Sequence, residues 1–326
     1  MAERSFITGA TGQIGVPLVA ALVAAGHEVT ALVRDEARAS AVRAAGGTCL
    51  VGHLGDAEAL ERGVAAADHV WHLAGGLRGP GVNPDSLNRL GTVPLAAAAH
   101  RHRSRLASFT FASTCAVYGD RSGLWVGEDY ATAPATAYGT SKVAAEKVLL
   151  ASGLPLRIAR IAAVYGPGLR FTQTDAIRAG RCWLPGEGRN HVPVVHIDDC
   201  VAALIAIGCD PKGGGIYHVS GPTTPSLKDF YTAVAESTGG QPARFWSTWI
   251  PSVFQYGAAR QNEAIMMRLG RKPRFTTDNL RLFTASVRLR VDRLERELGF
   301  EWRYADYRAG VGASVRPLDA GGVGGL

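Results

Sequence analysis

The stretch AYGTSK (137–142) places a tyrosine, Tyr138, one helical turn before a lysine, Lys142. These residue types can make an acid–base centre. A phenol can hand a proton to a carbonyl oxygen, but its ordinary pKa near ~10 is too high for easy exchange at neutral pH. A nearby cation favours the phenolate and lowers that pKa, and Lys142 shares a helix face with Tyr138 from which to supply the field. Tyrosine–lysine pairs at this spacing are also common on ordinary exposed helix faces. The pair needs context.

The first context is TGATGQIG (8–15), between an apolar strand pattern, SFITGA, and a helical one, GVPLVAALVAAGH. Gly9, Gly12 and Gly15 allow a tight turn and let a pyrophosphate approach backbone N–H groups. The following helix points its positive end at the same place. A dinucleotide cradle is the expectation. In such a fold an acidic residue ending the second strand would select NAD through the ribose 2′-OH. Here Val33 holds that position and Arg34 follows, with Arg38 one turn on. Arg34 suits a 2′-phosphate, so NADP(H) is favoured, with NAD(H) as the alternative should Asp35 bind the ribose instead.

These residues need a scaffold, and the first 165 residues supply one by alternating strand and helix patterns. After SFITGA come EVTALVR, HVWHLAG, SFTFAST and LRIARIAAVYG, each separated from the next by helical stretches. Such alternation predicts an α/β fold, a Rossmann doubly wound parallel sheet with right-handed crossovers. Beyond Gly166 the pattern loosens, then VVHIDDCVAALIAIG (194–208) and GIYHVSG (215–221) return to it. The expected organisation is a dinucleotide-binding domain of residues 1–166 plus 191–221. A smaller, interleaved C-terminal substrate lobe takes 167–190 plus 222–318, and 319–326 is a disordered tail.

The motifs, in order, are TGATGQIG, GHLGD (52–56), HLAG (72–75), NRLGT with Asn88, FASTCAVYG (111–119), YGTSK, RIAAVYGPG (160–168), VVHIDD (194–199) and YHVSG (217–221). Together they resemble the extended short-chain dehydrogenase/reductase family. DNLRLFTASVRLRVDRLERELGFEWR further resembles its 3β-hydroxysteroid dehydrogenase-like branch. The resemblance implies a catalytic Ser/Thr, Tyr and Lys, carried here by Thr114, Tyr138 and Lys142, with Ser113 as the alternative hydroxyl. It implies cofactor contacts from Gly9, Thr11, Gly12, Gln13, Ile14, Gly15, Leu54, Leu73, Ala74, Gly75, Ile161 and Val164. Tyr138 and Lys142 contribute too, Lys142 holding the nicotinamide ribose. Substrate contacts are expected from Ser113, Thr114, Asn88 and Trp183. Relatives often dimerise through the helix bearing the tyrosine, and the apolar VAAEKVLL (143–150) permits a homodimer.

Departures from the family pattern narrow the substrate. His53 stands where an aspartate usually meets the adenine amino group. Ala163 replaces the substrate-binding asparagine of nucleotide-sugar epimerases, and Val192 and Pro193 replace their Arg-Asp pair. The lost polar contacts argue against a nucleotide sugar, and Trp183, Trp246 and Trp249 hint at an apolar pocket. The expected function is an NADP(H)-dependent oxidoreductase acting on a ketone or secondary alcohol of a moderately hydrophobic molecule. An epimerase or dehydratase with no net cofactor turnover is the alternative, and a non-catalytic sensor is disfavoured by the intact triad.

Composition agrees with a globular enzyme. Of 326 residues 47% are hydrophobic, and the net charge of +7 is spread widely, so no nucleic-acid partner is expected. No segment has the ~20 apolar residues of a membrane span and no signal peptide is visible, so a cytoplasmic location is expected. Cys49, Cys115, Cys182, Cys200 and Cys209 form no CxxC pair, and no metal is expected from spacing. His69 and His72 read as packing residues on a strand, and in HIDD, Asp198 or Asp199 reads as a helix cap.

Overall fold

The computed structural model describes residues 2–76, 83–245, 252–269 and 276–315. Trp246, Trp249 and the tail 319–326 lie outside them. The chain begins β1 (Arg4–Thr8), α1 (Gly15–Ala24), β2 (Glu28–Val33), α2 (Ser40–Ala44), β3 (Thr48–Val51), α3 (Ala57–Ala65), β4 (His69–His72), α4 (Gly91–Arg101) and β5 (Ser108–Thr114). It continues through β6 (Trp125–Val126), α5 (Ala137–Leu150), β7 (Leu156–Ile161), β8 (Ala163–Tyr165), α6 (Thr174–Arg178), β9 (Trp183–Leu184), β10 (Val194–His196), α7 (Ile197–Cys209) and β11 (Gly215–Val219). The last elements are α8 (Leu227–Thr238), β12 (Arg244–Phe245), α9 (Ser252–Arg268), α10 (Thr277–Thr284), β13 (Arg288–Leu289), α11 (Asp292–Leu298) and α12 (Tyr307–Val315).

Seven strands form one parallel sheet in the order β3-β2-β1-β4-β5-β7-β11. The order reverses between β1 and β4, the switch point at which such sheets open a crevice beyond their strand ends. The central strands are covered on both faces: β4 is fully buried and β5 nearly so, their His and Ser side chains included. One apolar layer places α1 and α7 against the sheet around Trp71, and the other places α3, α4 and α5 around Phe6, Phe109 and Phe111.

The run LRIARIAAVYG, expected as one strand, divides at Ala162. The Ala162 N–H donates to Val219 O while Ala163 N–H donates to Pro193 O, so the chain leaves the main sheet and β8 pairs with β10 in a small separate sheet. The C-terminal segment is interleaved more finely than expected. α8 and α12 pack over Tyr165 and Val194, whereas Leu294 of α11 is buried in the main sheet's own core. β13 crosses to pair with β6. Among the described residues, no helix is long and apolar enough to cross a membrane.

Candidate active site

The glycine loop folds as its spacing demands. Gly9 has φ +79°, and a Cβ there would sit 2.5 Å from the Ala74 nitrogen, so the loop lies directly on the Leu73–Ala74 backbone leaving β4. A Cβ on Gly15 would collide with the Gly9 carbonyl. Thr11, Gly12 and Gln13 are exposed at the turn and no side chain caps α1 at Ile14; the Val16 N–H is taken by the Gly12 carbonyl at 3.2 Å, which leaves the N–H groups of Gln13, Ile14 and Gly15 to meet an anion. This bare, positively polarised turn fits the pyrophosphate of a dinucleotide.

At the end of β2, Val33 is buried and Arg34 and Asp35 are exposed. Asp35 is engaged locally: its carboxylate accepts the Arg38 N–H at 3.1 Å and lies 3.3 Å from Arg38 Nε. The Arg34 side chain has no hydrogen bond or ion pair among the described residues. His53 Nδ1 accepts the Gly55 N–H at 3.0 Å, so a neutral ring carries its proton on Nε2, where an aspartate would only accept. Leu54 packs beside Gly91, and Ile161 lies in register with Thr114 at the ends of β7 and β5, with Val164 following in β8.

Tyr138 and Lys142 occupy the first turns of α5. The Thr136 hydroxyl caps that helix by accepting the Gly139 N–H at 3.1 Å, and the Asp278 carboxylate, from α10, accepts the Ala137 N–H at 2.9 Å. Gly139 has a packing reason, because a Cβ would lie 2.6 Å from the Ala116 carbonyl oxygen. Only glycine lets this turn press onto the chain just past Thr114 and bring Tyr138 to it. The half-buried phenol lies near enough to Thr114 for that hydroxyl to favour its ionised form, and the Thr114 hydroxyl accepts the Ala116 N–H at 3.2 Å. Lys142 is 3% exposed; its ammonium donates to Ala112 O at 2.8 Å and sits 4.6 Å from the centre of the Phe111 ring.

The electrostatics differ from expectation. Burial pushes the Tyr138 phenol up to about 12, Thr114 opposing and Cys115 adding to the rise. Burial pulls Lys142 down to about 8, with Glu146 opposing. Lys142 is therefore not what sets the phenol's acidity among the protein's own charges: its ammonium is turned to the Ala112 carbonyl, and desolvation dominates both groups. His72, held between Thr8 at 2.7 Å and Thr92 at 2.8 Å, is pushed down to about 3 by burial, with Lys142 adding to it. It is a neutral strut behind the cradle, as its packing role required.

Other expected contacts are placed elsewhere. The Ser113 hydroxyl donates to Glu146, which also pairs with Arg160 at 2.8 Å, so it is committed within a buried ion cluster. Asn88, expected at the substrate, is a brace: its Nδ2 donates to Ser141 Oγ at 2.9 Å and Gly76 O at 3.3 Å while Oδ1 accepts the Gly76 N–H. Both amide protons are used, and the residue pins the loop after β4 to α5. Trp183 is 46% exposed on β9, beneath the Arg244 guanidinium, and does not line the cleft beside Thr114. At HIDD the cap is His196, whose Nδ1 accepts the Asp198 N–H, while Asp199 accepts the N–H groups of Arg303 and Tyr304, both at 2.9 Å.

An open cleft is lined by Cys115 and Thr136, chain neighbours of Thr114 and Tyr138, although neither Thr114 nor Tyr138 lines it. Its walls include Ala116, Val192, Pro193, Leu282, Ala285 and Val287, with Cys115 and Arg281 as the more polar members. Val192 and Pro193 were marked in the sequence by what they replace. Leu282, Ala285 and Val287 carried no such mark, because α10 reaches the cleft only by folding back over α5.

A model of the NAD dependent epimerase/dehydratase family matches residues 5–220. Among curated proteins the chain is 31% identical over 315 residues to the 4-hydroxy-2-methyl-3-oxo-4-farnesyl-3,4-dihydroquinoline-1-oxide ketoreductase of Stigmatella aurantiaca, covering 92% of each chain. It is 30% identical over 262 residues to a UDP-glucose 4-epimerase of Mycolicibacterium smegmatis, covering 72% of this chain and 83% of that one. Among solved structures, the Bordetella bronchiseptica enzyme WbmG in complex with NAD is similar, with a TM-score of 0.75 and 23% identity over 97% of this chain and 93% of that one.

Proposed function

The chain belongs to the NAD dependent epimerase/dehydratase family of enzymes, and we propose that it is an NADP(H)-dependent oxidoreductase interconverting a ketone and a secondary alcohol on a moderately hydrophobic small molecule. The observation that carries this reading is the mostly apolar cleft that begins at Cys115, next to Thr114 in the chain, in which Val192 and Pro193 stand where sugar-nucleotide enzymes present charge. A ketoreductase of a farnesylated ketone aligning along nearly the whole chain supports it. Arg34, exposed and uncommitted while Asp35 serves its own turn, supports a 2′-phosphate.

In this reading Gly9 to Gly15, Arg34 and the backbone of Leu73 to Gly75 hold the dinucleotide, and a bound nicotinamide supplies the hydride. Thr114 positions the substrate oxygen by a hydrogen bond, and Tyr138 gives that oxygen its proton. With its pKa pushed up to about 12, Tyr138 needs positive charge beside it to exchange protons near neutrality, which an oxidised nicotinamide would supply when bound, added to the weaker field of Lys142. Burial, the Ala112 carbonyl and the Phe111 face hold its ammonium in place.

The test is a panel of hydrophobic ketones offered with NADPH and with NADH, following loss of reduced cofactor, for the native chain and Arg34→Ala. Net NADPH consumption with a ketone supports the reading, and Arg34→Ala should weaken use of NADPH about tenfold or more while sparing NADH. Copurified, tightly held cofactor with no net consumption, together with turnover of a sugar nucleotide, would overturn it.

A further inference from the structure

Four side chains with metal-binding chemistry, scattered through the sequence, meet at the end of the sheet remote from Tyr138. Glu3 precedes β1, His27 precedes β2, His69 opens β4 and Cys209 closes α7. β4, β1 and β2 are neighbours, with Ser5 in register with His69 and Arg4 with Glu28, so their first residues share one edge. α7 reaches that edge because Gly208 has no side chain to strike the Trp71 ring on which it is seated.

Glu3 Oε2 lies 3.5 Å from His27 Nε2 and 3.3 Å from His69 Nε2, and Cys209 Sγ lies 3.9 Å from His27 Nε2. The ligating atoms of Glu3, His27 and Cys209 all fall within 4.8 Å of one another. Donors ~2.0–2.3 Å from a tetrahedral zinc ion are separated by about 3.3–3.6 Å, so Glu3, His27 and Cys209 need only draw together, while His69, which meets Glu3 but stands outside that group, must turn inward to complete the shell.

Two further features point to a ligand. Each imidazole is held by its far nitrogen, His27 Nδ1 by Ser5 Oγ at 3.1 Å and His69 Nδ1 by Ser108 Oγ at 2.8 Å, which aims both Nε2 atoms inward. Ser5 is itself fixed by Trp71 Nε1 at 3.1 Å. His69 is 2% exposed, and the one polar group its Nε2 faces is the Glu3 carboxylate at 3.3 Å, without good hydrogen-bond alignment.

We propose that Glu3, His27, His69 and Cys209 form a structural site for zinc or a zinc-like divalent cation, tying the starts of three strands to the end of α7. One carboxylate, one thiolate and two neutral imidazoles balance the dication. The Cys209 thiol proton leaves to solvent on binding, with no redox change. The site is closed, with four protein ligands and no position for substrate.

The test uses the full chain, stripped with a chelator and titrated with Zn(II) alone and Co(II) alone. The site predicts one equivalent bound, a higher melting temperature with zinc, and a cobalt spectrum with tetrahedral ligand-field bands and a thiolate-to-cobalt charge-transfer band. Cys209→Ser should abolish the charge-transfer band. Glu3→Gln, at an exposed position where folding is not at risk, should weaken zinc by at least the ~10–100-fold typical of losing an outer-shell partner. Cys49→Ser should change nothing. Absence of stoichiometric binding by the native chain, or binding that survives both Cys209→Ser and Glu3→Gln unaltered, overturns the proposal.

Discussion

The first and third turns of α5 lie on one stripe of the helix, and they treat charge in opposite ways. Glu146, in the third turn, is 3% exposed and fully matched: Arg160 grips it through Nε at 3.2 Å and through the second guanidinium nitrogen at 2.8 Å, while Ser113 donates to it. Arg160 is secured in turn by Tyr118 at 2.6 Å and the Glu128 carbonyl at 3.0 Å. Lys142, one turn earlier, is equally buried but is held by a single carbonyl and an aromatic face. Tyr138, at the start, is half-buried beside Thr114. A charge whose partners are all protein groups builds a framework. A charge or phenol whose partners are incomplete is poised for something that arrives, and its protonation is correspondingly displaced by burial.

The sharpest way to break this contrast is to exchange the two behaviours. Tyr138→Phe removes a proton donor without removing packing. Turnover should fall about 10²- to 10⁴-fold with the melting temperature nearly unchanged, and near-normal turnover would sink the mechanism. Glu146→Gln should do the reverse: it strands Arg160 in the interior and costs about 3–5 kcal/mol, read as a shifted denaturant midpoint. A loss of activity without loss of stability would mean that Glu146 belongs to the chemistry.

The smallest effect is a pH slope. Lys142 is held at about 8 in the fold against its ordinary 10.5, so between these values the unfolded chain binds the extra proton. Stability should therefore rise with pH across that window, as the folded state is relieved of a buried charge. Lys142→Met should flatten that rise, and an unaltered slope in the variant would show that Lys142 is not perturbed.

Much of the site was legible because its determinants are local. The glycine turn needs particular residues within eight positions, and Tyr138 and Lys142 share a face through helical spacing alone. The choice between Ser113 and Thr114 was not local. Adjacent residues on a strand point apart, and only the placement of Glu146 and Tyr138 showed which hydroxyl was committed to the framework. Nothing local to Asn88 sets its role either, because the loop at Gly76 and Ser141 of α5 that occupy its amide come from segments 12 and 53 residues away. His196 took the cap expected of Asp198 or Asp199 because residues 303 and 304 had claimed Asp199.

By itself, the sequence determined the alternation that makes a parallel sheet, the cradle at its switch point and the spacing of the acid–base pair. These follow from periods of two and 3.6 residues and from the freedom of glycine, which act over a few positions. Tertiary structure alone decided what each buried polar group faces. Neighbouring strands and the helices over them come from segments 20 to 200 residues apart, and no spacing rule connects Glu3, His27, His69 and Cys209 until the sheet lines up their ends.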